Sequence, residues 1–372
     1  MTEKNVEALL DAEVAASMRK RPGMYIGGSD YRGIQELFAV IFKSILRNST
    51  SSLRVEWVIE DNENCTLTIV GGELEGLKKL LGRFIQVDSI VPGIDYAEYF
   101  YYMIFLFFFR LEVLFVYDHE QLYIVKEQGN LGYQYEASID KNQCTMKITL
   151  DNKVFGPRTF LFESLSEYVK NYAYQYPNLM IILKDNRELK QLSTYCYPNG
   201  LEDKLNYFKY INHGGTSPLW EVQHECSVDG CEIKLLFYIF EHIYLHPPCE
   251  AVYADDYLVL DQDRTLKGAV IEAMKQSMEQ FSDQNNLQLL FREKQLYYLT
   301  DFVASIHGDK LRYGTWKNKL EMNELRENLR KHMKQYFDEL FLSDKKYVGI
   351  MEKIGFKVGN SLFLDAVFPA NE

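Results

Sequence analysis

Few residues of this sequence combine the types and spacings that catalysis or metal binding requires. His242, His246 and Cys249 offer ligand atoms that zinc accepts, and Cys226 and Cys231 lie nearby in the sequence. Their spacing matches no common zinc motif and falls in a strand-rich segment, so we predict no metal there. The chain also has no Ser, His and Asp in triad order and no Gly-x-Ser-x-Gly segment, so nucleophilic catalysis is not expected.

The most basic segment of the chain is 310–334, and its cations could contact a phosphate backbone or an acidic partner. The positively charged residues are Lys310, Arg312, Lys317, Lys319, Arg326, Arg330, Lys331 and Lys334. A solvated helix face is one interpretation of this segment, and contact with DNA or with a protein partner is the other.

Hydrophobic periodicity predicts the elements that would position these residues. Helices are expected at residues 31–47, 161–172, 266–283 and 320–340. Strands are expected at residues 53–59, 65–70, 111–117, 121–125, 133–137, 146–150, 179–183, 219–223, 232–240 and 296–307. The pattern indicates an α+β protein, with helices on one face of a mainly antiparallel sheet and a domain boundary near residue 215.

The most apolar run is 99–109, YFYYMIFLFFF. As a helix it would span about 16 Å, against a hydrocarbon core of about 30 Å, so it is too short to cross a bilayer. We expect a buried element here, and an aromatic surface that contacts a membrane or a partner is the alternative.

Length and composition limit the remaining classes of protein. A chain of 372 residues with 47% hydrophobic residues can bury two cores, and a net charge of −12 makes the molecule as a whole a poor ligand for nucleic acid. Six scattered cysteines fit a reducing compartment better than a disulfide framework. Residues 1–10 lack the pattern of a signal peptide, so we expect a cytoplasmic protein with no membrane partner.

Several segments, in order along the chain, resemble DNA gyrase B and its topoisomerase IV counterpart. The most specific is 19–27, RKRPGMYIG, followed by 197–208, 263–269 and 313–320. The resemblance implies a Bergerat-type (GHKL) helix-on-sheet ATPase domain at 19–215, followed by a transducer-like α/β domain at 216–372. Residues 1–18 would correspond to the arm through which the two copies in this family associate.

The resemblance also shows where the ATPase chemistry should lie. The family's glutamate base and magnesium-binding asparagine align with Val40 and Ser44, or with Ala39 and Lys43 if the alignment shifts by one residue. The adenine-binding aspartate aligns with Gly71 or Gly72. The next residue, Glu73, could accept the adenine amine only if the loop shifted, and we expect a solvent-facing turn.

Two further positions retain the family's residue type. Thr145 aligns with a threonine of the nucleotide site, and Lys317 aligns with a lysine that reaches the γ-phosphate. The lid glycines, however, are replaced by bulky residues in 95–105, and large aromatic side chains would fill the space that a nucleotide needs.

We therefore expect a degenerate member of this family, a pseudoenzyme that acts as a binding, scaffold or regulatory module and uses no cofactor. It would associate with itself or with a protein partner. The alternative is a divergent ATP-dependent component of a type II DNA topoisomerase, and only under this alternative would ATP and Mg²⁺ be bound.

Overall fold

The computed structural model describes residues 2–5, 12–46, 51–86, 107–127, 130–156, 160–242, 249–255, 257–259, 265–308, 311–312, 320 and 322–357. The chain divides into two compact units, Met1–Pro198 and Asn199–Glu372. Each unit buries its own apolar residues, as expected for parts that fold around separate cores.

A nine-stranded sheet forms the frame of the first unit. Its strands are β1 (Thr2–Asn5), β2 (Leu53–Ile59), β3 (Asn64–Gly71), β4 (Phe108–Tyr117), β5 (Glu120–Glu127), β6 (Asn130–Ala137), β7 (Gln143–Leu150), β8 (Leu179–Asp185) and β9 (Leu192–Cys196). They lie in the order β1-β6-β5-β4-β7-β3-β2-β8-β9. Only β2 and β8 run parallel, and the other neighbours are antiparallel.

The helices of the first unit cover one face of this sheet, as expected. They are α1 (Ala12–Lys20), α2 (Pro22–Tyr25), α3 (Tyr31–Leu46), α4 (Glu75–Gln86) and α5 (Phe162–Gln175). Most residues of α3 are buried because it packs against the sheet and against its neighbours α4 and α5. The ring of Phe38 stacks on Trp57 of β2 at 3.9 Å, and Phe42 stacks on Tyr172 of α5 at 4.9 Å.

The second unit contains a five-stranded sheet between two helical layers. The strands of this unit are β10 (Trp220–Val228), β11 (Cys231–Ile239), β12 (Glu250–Ala254), β13 (Tyr257–Val259), β14 (Leu289–Leu290), β15 (Thr300–His307) and β16 (Phe356–Lys357). Its helices are α6 (Leu201–His213), α7 (Lys267–Gln284), α8 (Glu293–Tyr298), α9 (Asn323–Ser343) and α10 (Lys346–Ile354). The sheet order is β10-β11-β15-β12-β13, and β14 pairs with β16. The helices α7 and α9 pack on one face of the larger sheet, and α6 packs on the other.

Two expectations differ from the structure. The strand expected at 296–307 is wrong over its first residues, because residues 293–298 form α8 and β15 begins only at Thr300. The division between the units also lies before α6, whereas the sequence suggested a boundary after it. Helix α6 goes with the second unit because Leu201, Leu205 and Phe208 pack with Tyr238 of β11.

The expected N-terminal arm is described at residues 2–5 and 12–18. Thr2–Asn5 pairs antiparallel with β6 of the same chain, with Thr2 opposite Tyr133. This part of the arm therefore forms an edge strand of its own sheet. Among the residues that the structure describes, no helix has the length and apolar character to cross a membrane.

Candidate functional site

Helix α3 carries the positions at which the resemblance expects a base and a metal ligand. Ala39 and Val40 are 0% and 4% exposed, so either alignment places a buried apolar side chain at the position of the base. Ser44 is half-buried, and its hydroxyl donates to the carbonyl oxygen of Ile41 in the same helix at 2.7 Å. In the shifted alignment Lys43 takes the ligand position, and an ammonium group cannot coordinate a metal ion. Neither alignment supplies a carboxylate.

The first turn of α4 lies directly against Ser44. A Cβ atom at Gly76 would stand 2.1 Å from the carbonyl oxygen of Ser44, so only a glycine allows the two helices to approach this closely. The same helix buries Leu77, Leu81 and Phe84 in the core that α3 shares. Helix α4 therefore occupies the space beside Ser44.

The adenine position lies in a turn at the end of β3. Gly71 and Gly72 have φ angles of 81° and 68°, a region that glycine adopts without strain. A Cβ atom at Gly71 would also meet the carbonyl oxygen of Ser52 at 2.8 Å. Glu73 is exposed, which agrees with a solvent-facing turn. This turn places no carboxylate toward α3.

Thr145 lies on the face of the sheet opposite to α3. In β7 the side chains of Cys144 and Met146 are buried in the core of the first unit, whereas Thr145 and Lys147 alternate with them on the other face. Because successive side chains of a strand point to opposite faces, Thr145 cannot line a site beside α3. The core-facing residue is Cys144, and burial raises the pKa of its thiol. Lys317 lies outside the described residues.

Only the last part of the aromatic run 99–109 is described. Phe107 and Phe108 are buried, and Phe107 meets the ring of Phe155 edge to face at 6.2 Å. Phe109 is 37% exposed. Phe107 and Phe108 contribute to the core, and Phe108 begins β4. Residues 99–106 lie outside the part of the chain that the structure describes.

The outer face of the same sheet carries a polar groove that the sequence did not suggest. It has a volume of about 220 Å³ and lies over β3, β4 and β7. The guanidinium of Arg110 donates to Glu112 at 2.9 Å and to Glu127 at 3.2 Å, and Lys147 lies 3.8 Å from Glu112. Since these charges neutralise one another, the groove has no strong preference for an anion or a cation.

Three basic residues of α9 are paired with acidic and amide side chains. Arg326 contacts Glu272 of α7 at 2.9 Å, Arg330 lies 3.7 Å from the same carboxylate, and Lys334 contacts Asp338 at 2.6 Å. These three cations therefore hold α9 to α7 or to itself. Arg312 and Lys331 are exposed, and Lys310, Lys317 and Lys319 lie outside the described residues.

The structure describes the cysteines and histidines considered in the sequence analysis in part. His246 lies outside the described residues. The thiol of Cys249 accepts a hydrogen bond from Asn212 at 3.1 Å, and burial raises its pKa. Cys226 instead lies beside two histidines, one on its own strand and one on α9.

A buried polar network in the second unit also escaped the sequence patterns. Lys267, at the start of α7, is 0% exposed; its ammonium donates to the carbonyl oxygen of Thr300 at 2.9 Å and lies 3.7 Å from Glu250. Burial lowers the pKa of Lys267 to about 8. Nearby, the carboxylate of Asp301 lies 3.1 Å from Nε2 of His213. These contacts tie β15 to α6 and α7.

Comparison with solved structures identifies the class of fold as that of the ATP-binding region of type II topoisomerases. The DNA gyrase B protein from Myxococcus xanthus is similar over 92% of this chain and 100% of that one, with 15% identity and a TM-score of 0.67. The 43K ATPase domain of Thermus thermophilus gyrase B, solved with an aminocoumarin, is similar over 94% and 95%, with 14% identity and a TM-score of 0.70. The ATP-binding domain of Francisella tularensis topoisomerase IV, solved with a small-molecule inhibitor, is similar over 91% and 95%, with 15% identity and a TM-score of 0.63. The expected α+β fold is confirmed.

Sequence comparison finds a relative within the same class of protein. The chain is 25% identical over 263 residues to DNA gyrase B from Archaeoglobus fulgidus, and the match covers 63% of this chain. It covers 39% of the length of that relative. No model of a protein family matches the sequence. The expected resemblance to the DNA gyrase B family is confirmed in sequence and in fold.

Proposed function

We propose that this chain is a gyrase-B-like pseudoenzyme, a binding, scaffold or regulatory module that does not hydrolyse ATP. Hydrolysis requires a general base within reach of the attacking water. Ala39 and Val40 have no group that accepts a proton, and both lie in the apolar core. Their burial supports the absence of a base whichever alignment is used.

The observation that carries the proposal is the contact between α4 and Ser44. A bound Mg²⁺ keeps near-octahedral oxygen ligands at about 2.0–2.1 Å and usually retains several waters. The main chain of Gly76 packs against the carbonyl oxygen of Ser44, where a Cβ atom would stand only 2.1 Å from that oxygen, so α4 leaves no room for an ion on this side of Ser44. The hydroxyl of Ser44 is engaged with Ile41, so it would have to exchange that bond for a metal ion.

The adenine end supports the same conclusion. Gly71 and Gly72 provide no side-chain acceptor, and Thr145 faces away from α3. A nucleotide in the family's site would therefore lose contacts at its adenine ring and at its metal ion.

The test is a calorimetric titration of the full chain with Mg²⁺ and a nonhydrolysable ATP analogue. The Thermus thermophilus gyrase B ATPase domain, titrated in the same buffer, serves as the positive control. We expect no heat of binding with this chain. Micromolar affinity would overturn the proposal and support the alternative, a divergent ATP-dependent component of a type II topoisomerase, which the similarity to DNA gyrase B favours.

We further propose that the module binds a protein, either a second copy or another chain, in preference to DNA. Non-specific binding to DNA depends on cations that can neutralise phosphates. The net charge is −12, and Arg326, Arg330 and Lys334 are already paired with side chains of the same unit. An electrophoretic shift of duplex DNA at physiological salt would contradict this preference.

A further inference from the structure

Three side chains that bind transition metals meet between β10 and α9 of the second unit. His224 and Cys226 are alternate residues of β10, so they share one face of the strand. His332 projects from α9, and its Nε2 atom lies 3.1 Å from Nε2 of His224. The ligand atoms of the three residues all lie within 4.8 Å of one another.

The distances are close to those around a tetrahedral zinc ion. Zinc binds histidine nitrogen at about 2.0–2.1 Å and thiolate sulfur at about 2.3 Å, so neighbouring ligand atoms are roughly 3.3–3.6 Å apart. The two imidazole nitrogens already have nearly this separation. The sulfur of Cys226 lies within 4.8 Å of both nitrogens, so it has to move closer to them to reach the same centre.

The surroundings favour a neutral imidazole at His224, the form that binds metals. All three residues are half-buried, and the ring of His224 packs against Tyr336 at 4.2 Å. Burial, together with the nearby His332, lowers the pKa of His224. Burial also raises the pKa of the Cys226 thiol to about 11, so a metal ion that binds there must displace a proton.

We propose that His224, Cys226 and His332 form a binding site for a borderline-soft divalent transition metal ion, with Zn²⁺ as the preferred ion and water as the fourth ligand. This site lies apart from the residues on which the proposed function rests. The alternative arrangement is a hydrogen bond between two neutral imidazoles, in which one nitrogen donates and the other accepts.

Titration of the metal-free full chain with Zn²⁺ tests the site, in competition with a chromophoric chelator. We expect one equivalent to bind, with release of about one proton from Cys226. Co²⁺ should give a thiolate charge-transfer band and the visible bands of tetrahedral coordination. The melting temperature should rise with added Zn²⁺ because the ion binds only the folded state.

Two variants and two controls assign the site. Cys226→Ser and His332→Gln should each weaken Zn²⁺ binding by more than the ~10–100-fold that follows loss of an outer-shell partner. Cys196→Ser removes an exposed cysteine and His119→Asn an exposed histidine, and both should bind as the wild type does. Circular dichroism confirms that each protein is folded.

The proposal is overturned if the wild type binds no Zn²⁺ against the chelator, since the two histidines would then only share a hydrogen bond. It is equally overturned if folded Cys226→Ser retains wild-type affinity or the Co²⁺ charge-transfer band. A binding loss confined to Cys196→Ser would place the ion elsewhere and would also refute it.

Discussion

The substitution Val40→Glu introduces a carboxylate at the position on α3 where the family resemblance expects one. Its effect on the stability of the first unit tests whether water reaches this position. Val40 is 4% exposed and lies in the apolar core of the first unit. A fully buried carboxyl group has its pKa raised by up to about 3–5 units, and keeping it protonated from about pH 4.3 to pH 7 costs about 3.5 kcal/mol. Domains are stable by only about 5–15 kcal/mol, so the first unit should lose a large part of its stability at about pH 7.

The cost should depend on pH in a known direction. The pKa of the buried carboxyl would be raised in the folded state, so that state binds the proton more tightly than the unfolded chain. Stability is therefore retained at about pH 4 and lost as the pH rises from about 4.3 towards the raised folded pKa. Val40→Gln removes the same packing without this pH dependence, so the two variants separate charge from shape.

The measurement is urea unfolding followed by circular dichroism, at several values between about pH 4 and pH 8. Val70→Glu is the matched control, because Val70 is 38% exposed on β3 of the same unit. If Val40→Glu were as stable as Val70→Glu at every pH, a water-filled pocket would lie beside α3. The closed site and the proposed pseudoenzyme would then both be refuted.

Three other features can be tested by substitution or truncation. Phe107→Asp should unfold or aggregate the protein because it places a charge in the core, whereas Phe109→Asp, at a position 37% exposed, should keep a melting temperature near that of the wild type. The pKa of Lys267 falls from 10.5 to about 8 on folding, so the unfolded chain binds more protons between these values and stability should rise across that window. Lys267→Met should lack this rise, of order 3 kcal/mol, when its urea unfolding is compared with that of the wild type. Removal of residues 1–18 exposes the edge of β6, and light scattering should show a change in oligomeric mass if the arm mediates self-association; equal monomer masses would exclude a homodimer.

Local patterns in the sequence predict most of the framework. The alternation around residues 61–64 indicates the β2–β3 hairpin, and Asp229-Gly230 marks the turn in which Val228 pairs with Cys231. The 3.6-residue period predicts α3 to within a residue or two at its ends. These features are readable because turn chemistry and amphipathic periodicity act over a few neighbouring residues. The pattern fails at 296–307, where a short apolar run fits a helix and a strand equally well.

The sequence alone also shows which residues stand at the family's catalytic positions. Val40 stands where the family has a glutamate, and Ser44 stands where it has an asparagine. Tertiary structure decides what surrounds them. That α4 approaches Ser44 closely enough to require Gly76 depends on how two helices share one core. That Thr145 faces away from α3 follows from the register of β7 in the sheet. His224 and His332 are 108 residues apart in the sequence and come into contact because β10 packs against α9. No local spacing in the sequence predicts this contact.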